Sequence, residues 1–198
     1  MMDDPFQALR KMFERYAPIP DAEWELFRPA LRPEKIEKGK VWIEIGQDGD
    51  AIAFLLKGLM RNYYVMADGN EYTRAFRAAG QFVASYSSAL SGEVSQCAVE
   101  AVEDCEVLTF SYREFKRGFA RHACWERIAR VIGEEMYIEY QKREYELLCM
   151  DALTRYEAFQ SRYSSLHDRL SQSLIASYLG ITPVSLSRLR GKRARKDF

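Results

Sequence analysis

Between Ser171 and Arg193 the chain reads SQSLIASYLGITPVSLSRLRGKR, a run in which hydroxyls, small apolar groups and cations recur at helical spacing. Side chains of these types suit recognition rather than bond-making. Short hydroxyl- and methyl-bearing groups such as Thr182, Val184, Ser185 and Ser187 fit against base edges in a DNA major groove, and Arg188 can form paired bonds to a guanine. Arg190, Lys192 and Arg193, with Arg195 and Lys196 behind them, suit phosphates, while Ser171 and Gln172 would meet the backbone at the start of the preceding helix. The alternative is an ordinary helical hairpin with a solvated basic end.

Positioning such a set takes two short helices. Ser171 stands where an N-cap is expected before Leu174, Ile175, Tyr178 and Leu179, and Gly180 suits the left-handed residue that ends a helix. Thr182 then caps a second helix whose first position is Pro183, where a missing N–H costs nothing. Only Gly180, Ile181 and Thr182 separate the two. Leu186 and Leu189 face inward in this scheme and Val184, Ser185, Ser187 and Arg188 outward, the arrangement of a helix-turn-helix.

Charge is distributed accordingly. The 198 residues carry 29 basic and 29 acidic side chains, yet from Asp151 onward nine Lys/Arg stand against four Asp/Glu, a basic module after an acidic one. The start MMDDPFQALR has acidic residues where a signal peptide needs cations, and no apolar stretch approaches the roughly 20 residues of a membrane span, so a soluble cytoplasmic protein is expected. Cys97, Cys105, Cys124 and Cys149 form no CxxC pair and read as free thiols. His122 and His167 lie outside the strands, so no metal site, cofactor or catalytic group is expected and the chain does not read as an enzyme.

Upstream the periodicity changes twice. Residues 5–31 read as helical, whereas 35–112 carry short β-branched and aromatic runs between glycine turns, with Asp68–Gly69 marking a hairpin. Many short strands with regular turns imply a sandwich or jelly roll. From about Arg113 the pattern is helical again, and Trp125, Ile128, Ile132, Met136 and Tyr140 form an i, i+3, i+4 stripe on a helix reaching Leu148. That stripe either packs on the β domain or pairs two copies of the chain, with Gly133 allowing close approach; self-pairing is the sharper expectation.

The string SLIASYLGITPVSLSRLR closely resembles the helix-turn-helix signature of the Crp/Fnr superfamily of bacterial transcription regulators. LTRYEAFQSRYSSLHDRLSQ is similar to the linker region of a short-tailed Bacteroidetes-type branch, and KGKVWIEIGQ, AFLLKGLMRNYY and AGQFVAS resemble the family's cyclic-nucleotide-binding jelly roll. The resemblance implies a homodimer on double-stranded DNA, an effector in the β domain, and base contacts from Pro183, Val184 and Arg188. RNA polymerase becomes a further partner. It also implies a phosphate cassette over Gln81, Phe82, Val83, Ala84, Ser85, Ser95 and Gln96, but Gln81 stands where the family has Glu and Ser95 at the best match to its Arg. A buried phosphate without a charge partner is costly, so cyclic AMP is not the expected effector.

The expected fold class is therefore α+β: a sensor jelly roll over 1–118, a long dimerisation helix over 119–149, and a helix-turn-helix domain over 150–198. A dimeric, sequence-specific DNA-binding regulator is the expectation. Its alternative is a ligand-binding or protein-interaction module whose helix-turn-helix no longer binds DNA.

Overall fold

The computed structural model describes residues 4–194, with side chains as far as Gly191. Two compact units emerge, one built from residues 4–64 together with Ala75–Glu135, the other from Val65–Arg74 and residues 136–194. Both the helical opening and the β-rich middle are found. Helix α1 (Pro5–Glu14) begins at Asp4, whose carboxylate accepts the Phe6 N–H at 3.0 Å, and α2 (Asp21–Phe27) runs into a 3-10 turn at Arg28–Ala30.

Eight strands follow: β1 (Arg32–Ile36), β2 (Val41–Ile43), β3 (Ala51–Lys57), β4 (Leu59–Val65), β5 (Glu71–Ala78), β6 (Phe82–Ala84), β7 (Ala98–Ala101) and β8 (Cys105–Ser111). They pair into two four-stranded sheets in the orders β1-β8-β3-β6 and β2-β7-β4-β5. Apart from the β4–β5 hairpin, neighbours in sequence sit in different sheets, the crossing pattern of a jelly roll. Between β3 and β4 the chain reverses at Gly58, where φ is +101° and a Cβ would lie 2.6 Å from the Asp104 carbonyl, so the position admits only glycine. Strand β1, RPEKI, lacks the apolar alternation of a strand; its pairing comes from β8, with Arg32 opposite Thr109 and Ile36 opposite Cys105.

The first unit's core lies between one sheet and the helices. Phe13 and Phe27 meet Phe110, Phe115 and Trp125, with Phe27 and Trp125 ring centroids 5.0 Å apart. A second cluster, with Ile36, Leu55, Met60, Val99 and Val107, fills the space between the strands. Short helices α3 (Tyr86–Ser91) and α4 (Tyr112–Arg117) flank the roll. Helix α5 (Ala123–Cys149) runs 27 residues, close to the expected length.

The second unit is helical. It holds α6 (Ala152–Arg162), a 3-10 turn at His167–Arg169, α7 (Gln172–Leu179) and α8 (Pro183–Ala194). Phe159, Tyr163 and Tyr178 pack edge and face with centroids 5.3–5.4 Å apart, and Ile175, Ala176, Leu179 and Leu186 close the core around them.

Candidate nucleic-acid interface

The helix-turn-helix forms as its capping residues dictate. Ser171 Oγ accepts from the Leu174 N–H at 3.3 Å and Thr182 Oγ1 from the Ser185 N–H at 3.2 Å. Gly180 ends α7 with φ +67°, and any side chain there would also press on Tyr72, whose ring would lie 3.3 Å from its Cβ. The small Ala176 is wholly buried at the crossing, and Leu186 anchors α8 from below.

Most of the expected contact residues share the open side. Ser171, Gln172, Thr182, Pro183, Val184, Ser185, Ser187 and Arg188 are all exposed, Val184 at 60%. Arg188 makes no hydrogen bond or ion pair among the described residues, so its guanidinium remains available to a ligand. Arg190 behaves otherwise. Expected on phosphate, it instead turns back onto its own unit, donating from Nε to the Tyr156 hydroxyl at 2.9 Å and reaching His167 Nε2 at 2.8 Å. Helical periodicity accounts for this placement: Arg190 sits about 200° around the helix from Arg188, beside the inward Leu186 and Leu189. Lys192 and Arg193 lie on α8, but their side chains, like all of Arg195 and Lys196, fall outside the described residues.

Behind the interface is a buried charge network. Arg143 on α5 lies over the Tyr178 ring at 3.7 Å, donates to the Tyr72 hydroxyl at 2.6 Å and to the Tyr178 carbonyl, and pairs with Glu146 at 3.3 Å. Glu146 in turn holds Arg162, which donates to the Tyr178 hydroxyl at 2.6 Å. Burial is the main cause holding the Tyr178 and Tyr72 phenols above their ordinary pKa range, and both remain donors or acceptors without charge. Ser177 adds a second tie: it accepts from the Thr73 N–H at 2.9 Å and donates to the Glu71 carbonyl at 2.8 Å. Nothing in the sequence pattern marked these partners, because they stand 100 or more positions apart for Thr73 and Ser177 and share no motif.

The long helix corrects a further expectation. Trp125 and Ile128 are fully buried in their own chain's core, Ile132 packs against that core, Met136 is half-buried, and Tyr140 lies under Arg74 at 3.6 Å. Gly133 makes room for the Tyr86 hydroxyl, which would sit 3.1 Å from a Cβ there. The first half of the stripe, Trp125, Ile128 and Ile132, thus faces its own chain's core. Large apolar side chains are instead exposed at Tyr137, Ile138, Tyr145 and Leu148, and Ile138, Gln141, Tyr145 and Leu148 follow a 3-4-3 spacing, that of a coiled-coil seam.

In the cassette most of the expected residues are engaged with their own surroundings. Gln81 Oε1 accepts its own turn's Ala78 N–H at 2.8 Å, and Phe82 packs on Phe13 and Phe54. Val83 is buried in the roll, while the Ala84 carbonyl accepts from Asn62 at 3.0 Å. Ser85 and Ser88 hydroxyls bond at 2.9 Å, Ser95 Oγ donates to the Cys97 carbonyl at 2.6 Å, and Gln96 is exposed. A Cβ on Gly49 would come within 2.3 Å of Ser88, so the turn is closely filled. The buried cation of the neighbouring sheet, Arg61, is paired with Glu100 directly across β7 and stacked on Tyr63 at 4.1 Å. A separate groove of about 750 Å³ runs between α3, α4 and the first half of α5, lined by Tyr86, Leu90, Tyr112, Phe119 and Arg127 among others; none of the seven expected cassette residues lines it.

Residues 33–122 match the cyclic nucleotide-binding domain family. Over nearly the whole chain the structure superposes on solved regulators. FixK2 from Bradyrhizobium japonicum gives a TM-score of 0.75 at 17% identity, covering 84% of this chain and 86% of that one. A protein from Eubacterium rectale assigned to the Crp/Fnr family gives 0.74 at 15% identity, covering 89% and 85%. The fold is that of the Crp/Fnr regulators. The c-di-GMP-responsive regulator CLP from Xanthomonas campestris shares this Crp/Fnr fold, with a TM-score of 0.71 at 15% identity over 90% of this chain and 93% of that one. No curated protein gives a significant sequence match. Among the described residues no helix is long and apolar enough to cross a membrane, and no group of three or more metal-binding side chains occurs.

Proposed function

We propose that the chain is a sequence-specific DNA-binding transcription regulator in which α8 reads the major groove. The observation that carries this reading is the outward face of α8: Val184, Ser185, Ser187 and Arg188 are exposed over a helix whose opposite side is anchored by Leu186, and Arg188 is unpaired among the described residues. The shared fold with solved regulators supports it. The regulator acts as a homodimer, pairing through the exposed Ile138, Tyr145 and Leu148 seam rather than the Trp125 stripe, and RNA polymerase is its downstream partner in the cytoplasm.

The jelly roll is read as a sensor that does not bind cyclic AMP. Its cassette hydroxyls are engaged with one another and with backbone, and Arg61 is neutralised by Glu100. Selecting bound sequences from a random DNA pool tests the central reading. One enriched sequence, bound with an affinity that falls steeply as salt rises, is expected. Enrichment of no sequence at low salt would favour the ligand-binding or protein-interaction module instead.

A further inference from the structure

Two elements of the C-terminal unit converge on the Arg190 guanidinium of α8. Its Nε donates to the Tyr156 hydroxyl of α6 at 2.9 Å, its Nη2 lies 2.8 Å from His167 Nε2 in the 3-10 turn, and its Cζ sits 5.5 Å from the Tyr156 ring centroid. A guanidinium has donors and no acceptor, so His167 Nε2 must accept. That places the imidazole proton on Nδ1, 3.2 Å from Asp168 Oδ1. The contact therefore makes His167 the acceptor and Arg190 the donor.

We propose that Arg190, His167 and Tyr156 form a strap that sets how α8 is seated and hence how Val184 to Arg188 are presented to DNA. Arg190 is then a positioning residue and not a phosphate contact. The strap's contacts stand on geometry alone; its role in DNA binding rests on the function proposed above.

With both bonds in place, Arg190 ties α8 to α6 and to the 3-10 turn on the side of the helix that Leu186 anchors. A guanidinium offers its donors in a fixed planar fork, so two acceptors on different elements fix the rotation of α8 about its axis more closely than the packing of Leu186 alone. Loss of the strap should lower affinity for the preferred sequence about tenfold relative to unrelated DNA.

Two measurements test this with the full chain. The first is a double-mutant cycle on thermal melting of the free protein, with Arg190→Gln, His167→Ala and the two together. The double variant should lose less than the sum of the single losses, because either substitution already breaks the strap. Losses that add overturn the strap whatever the protein does with DNA. The second is binding to preferred and unrelated DNA. Arg190→Gln should lower the preferred-to-unrelated ratio, and His167→Gln, which keeps an acceptor at this position, should preserve that ratio better than His167→Ala. Equal weakening of both DNAs by Arg190→Gln, with the salt slope reduced by about 1, would make Arg190 a phosphate contact and overturn the assignment. Coupled losses in a protein that selects no DNA sequence would overturn the DNA reading of α8 and, with it, the role given to the strap.

Discussion

Arg188 is exposed and unpaired among the described residues, while Arg190, two positions on, is tied to Tyr156 and His167. Arg188→Ala should therefore cost roughly 1–3 kcal/mol on the preferred sequence and much less on unrelated DNA, because a paired contact to guanine exists only on the right site. Salt-titrated binding to both DNAs checks it, and equal losses on the two would mean that Arg188 does not read bases. The sequence made Arg188 legible through its offset from Leu186 and Val184, and it hid the fate of Arg190, whose partners lie 34 and 23 positions away. A second residue-scale expectation concerns Tyr16, whose hydroxyl donates to Glu135 at 2.9 Å. Burial first, and that hydrogen bond second, push its pKa up to about 12. A folded pKa raised above the ordinary value near 10 means stability that is complete below about pH 10 and lost as pH climbs towards about 12. Tyr16→Phe should remove that part of the alkaline loss in thermal melts, whereas an identical alkaline profile would show that the phenol is not shielded.

At the level of elements, helix ends were readable because capping depends on neighbours within three residues, as Ser171, Thr182 and Gly180 illustrate. Helix faces were less so. Helix α5 has apolar side chains on two sides, and periodicity alone cannot say which side meets the chain's own sheet. The stronger stripe turned inward from Trp125 to Ile132, and the weaker one from Ile138 to Leu148 remained exposed, Leu148 at 77%. Two aspartate substitutions separate the roles. Ile132→Asp should lower the melting temperature, as a charge forced against a packed core does, by an amount equivalent to several kcal/mol. Ile138→Asp should leave the melting of the monomer nearly unchanged and shift sedimentation from dimer to monomer. A dimer unaffected by Ile138→Asp would place the pairing surface elsewhere.

Over the whole molecule, the likeness to a cyclic-nucleotide-binding fold and the side chains in the cassette position point in different directions. Backbone geometry follows from glycine turns and strand alternation, which tolerate wide sequence change, so residues 33–122 still match the domain family. Ligand chemistry depends on a few charges, and here the positions are taken by Gln81 and Ser95, whose side chains accept from Ala78 and donate to Cys97. A cyclic nucleotide entering this turn would have to bury its phosphate against hydroxyls already bonded to each other, with the nearby Arg61 committed to Glu100. Cyclic AMP at millimolar concentration should accordingly leave the melting temperature and DNA affinity unchanged. The experiment is sensitive, because a ligand that binds only the native state at 100 times its dissociation constant adds about 2.7 kcal/mol of stability. A clear upward shift in melting would show that the Ser85–Ser88–Ser95 cluster opens to admit the phosphate.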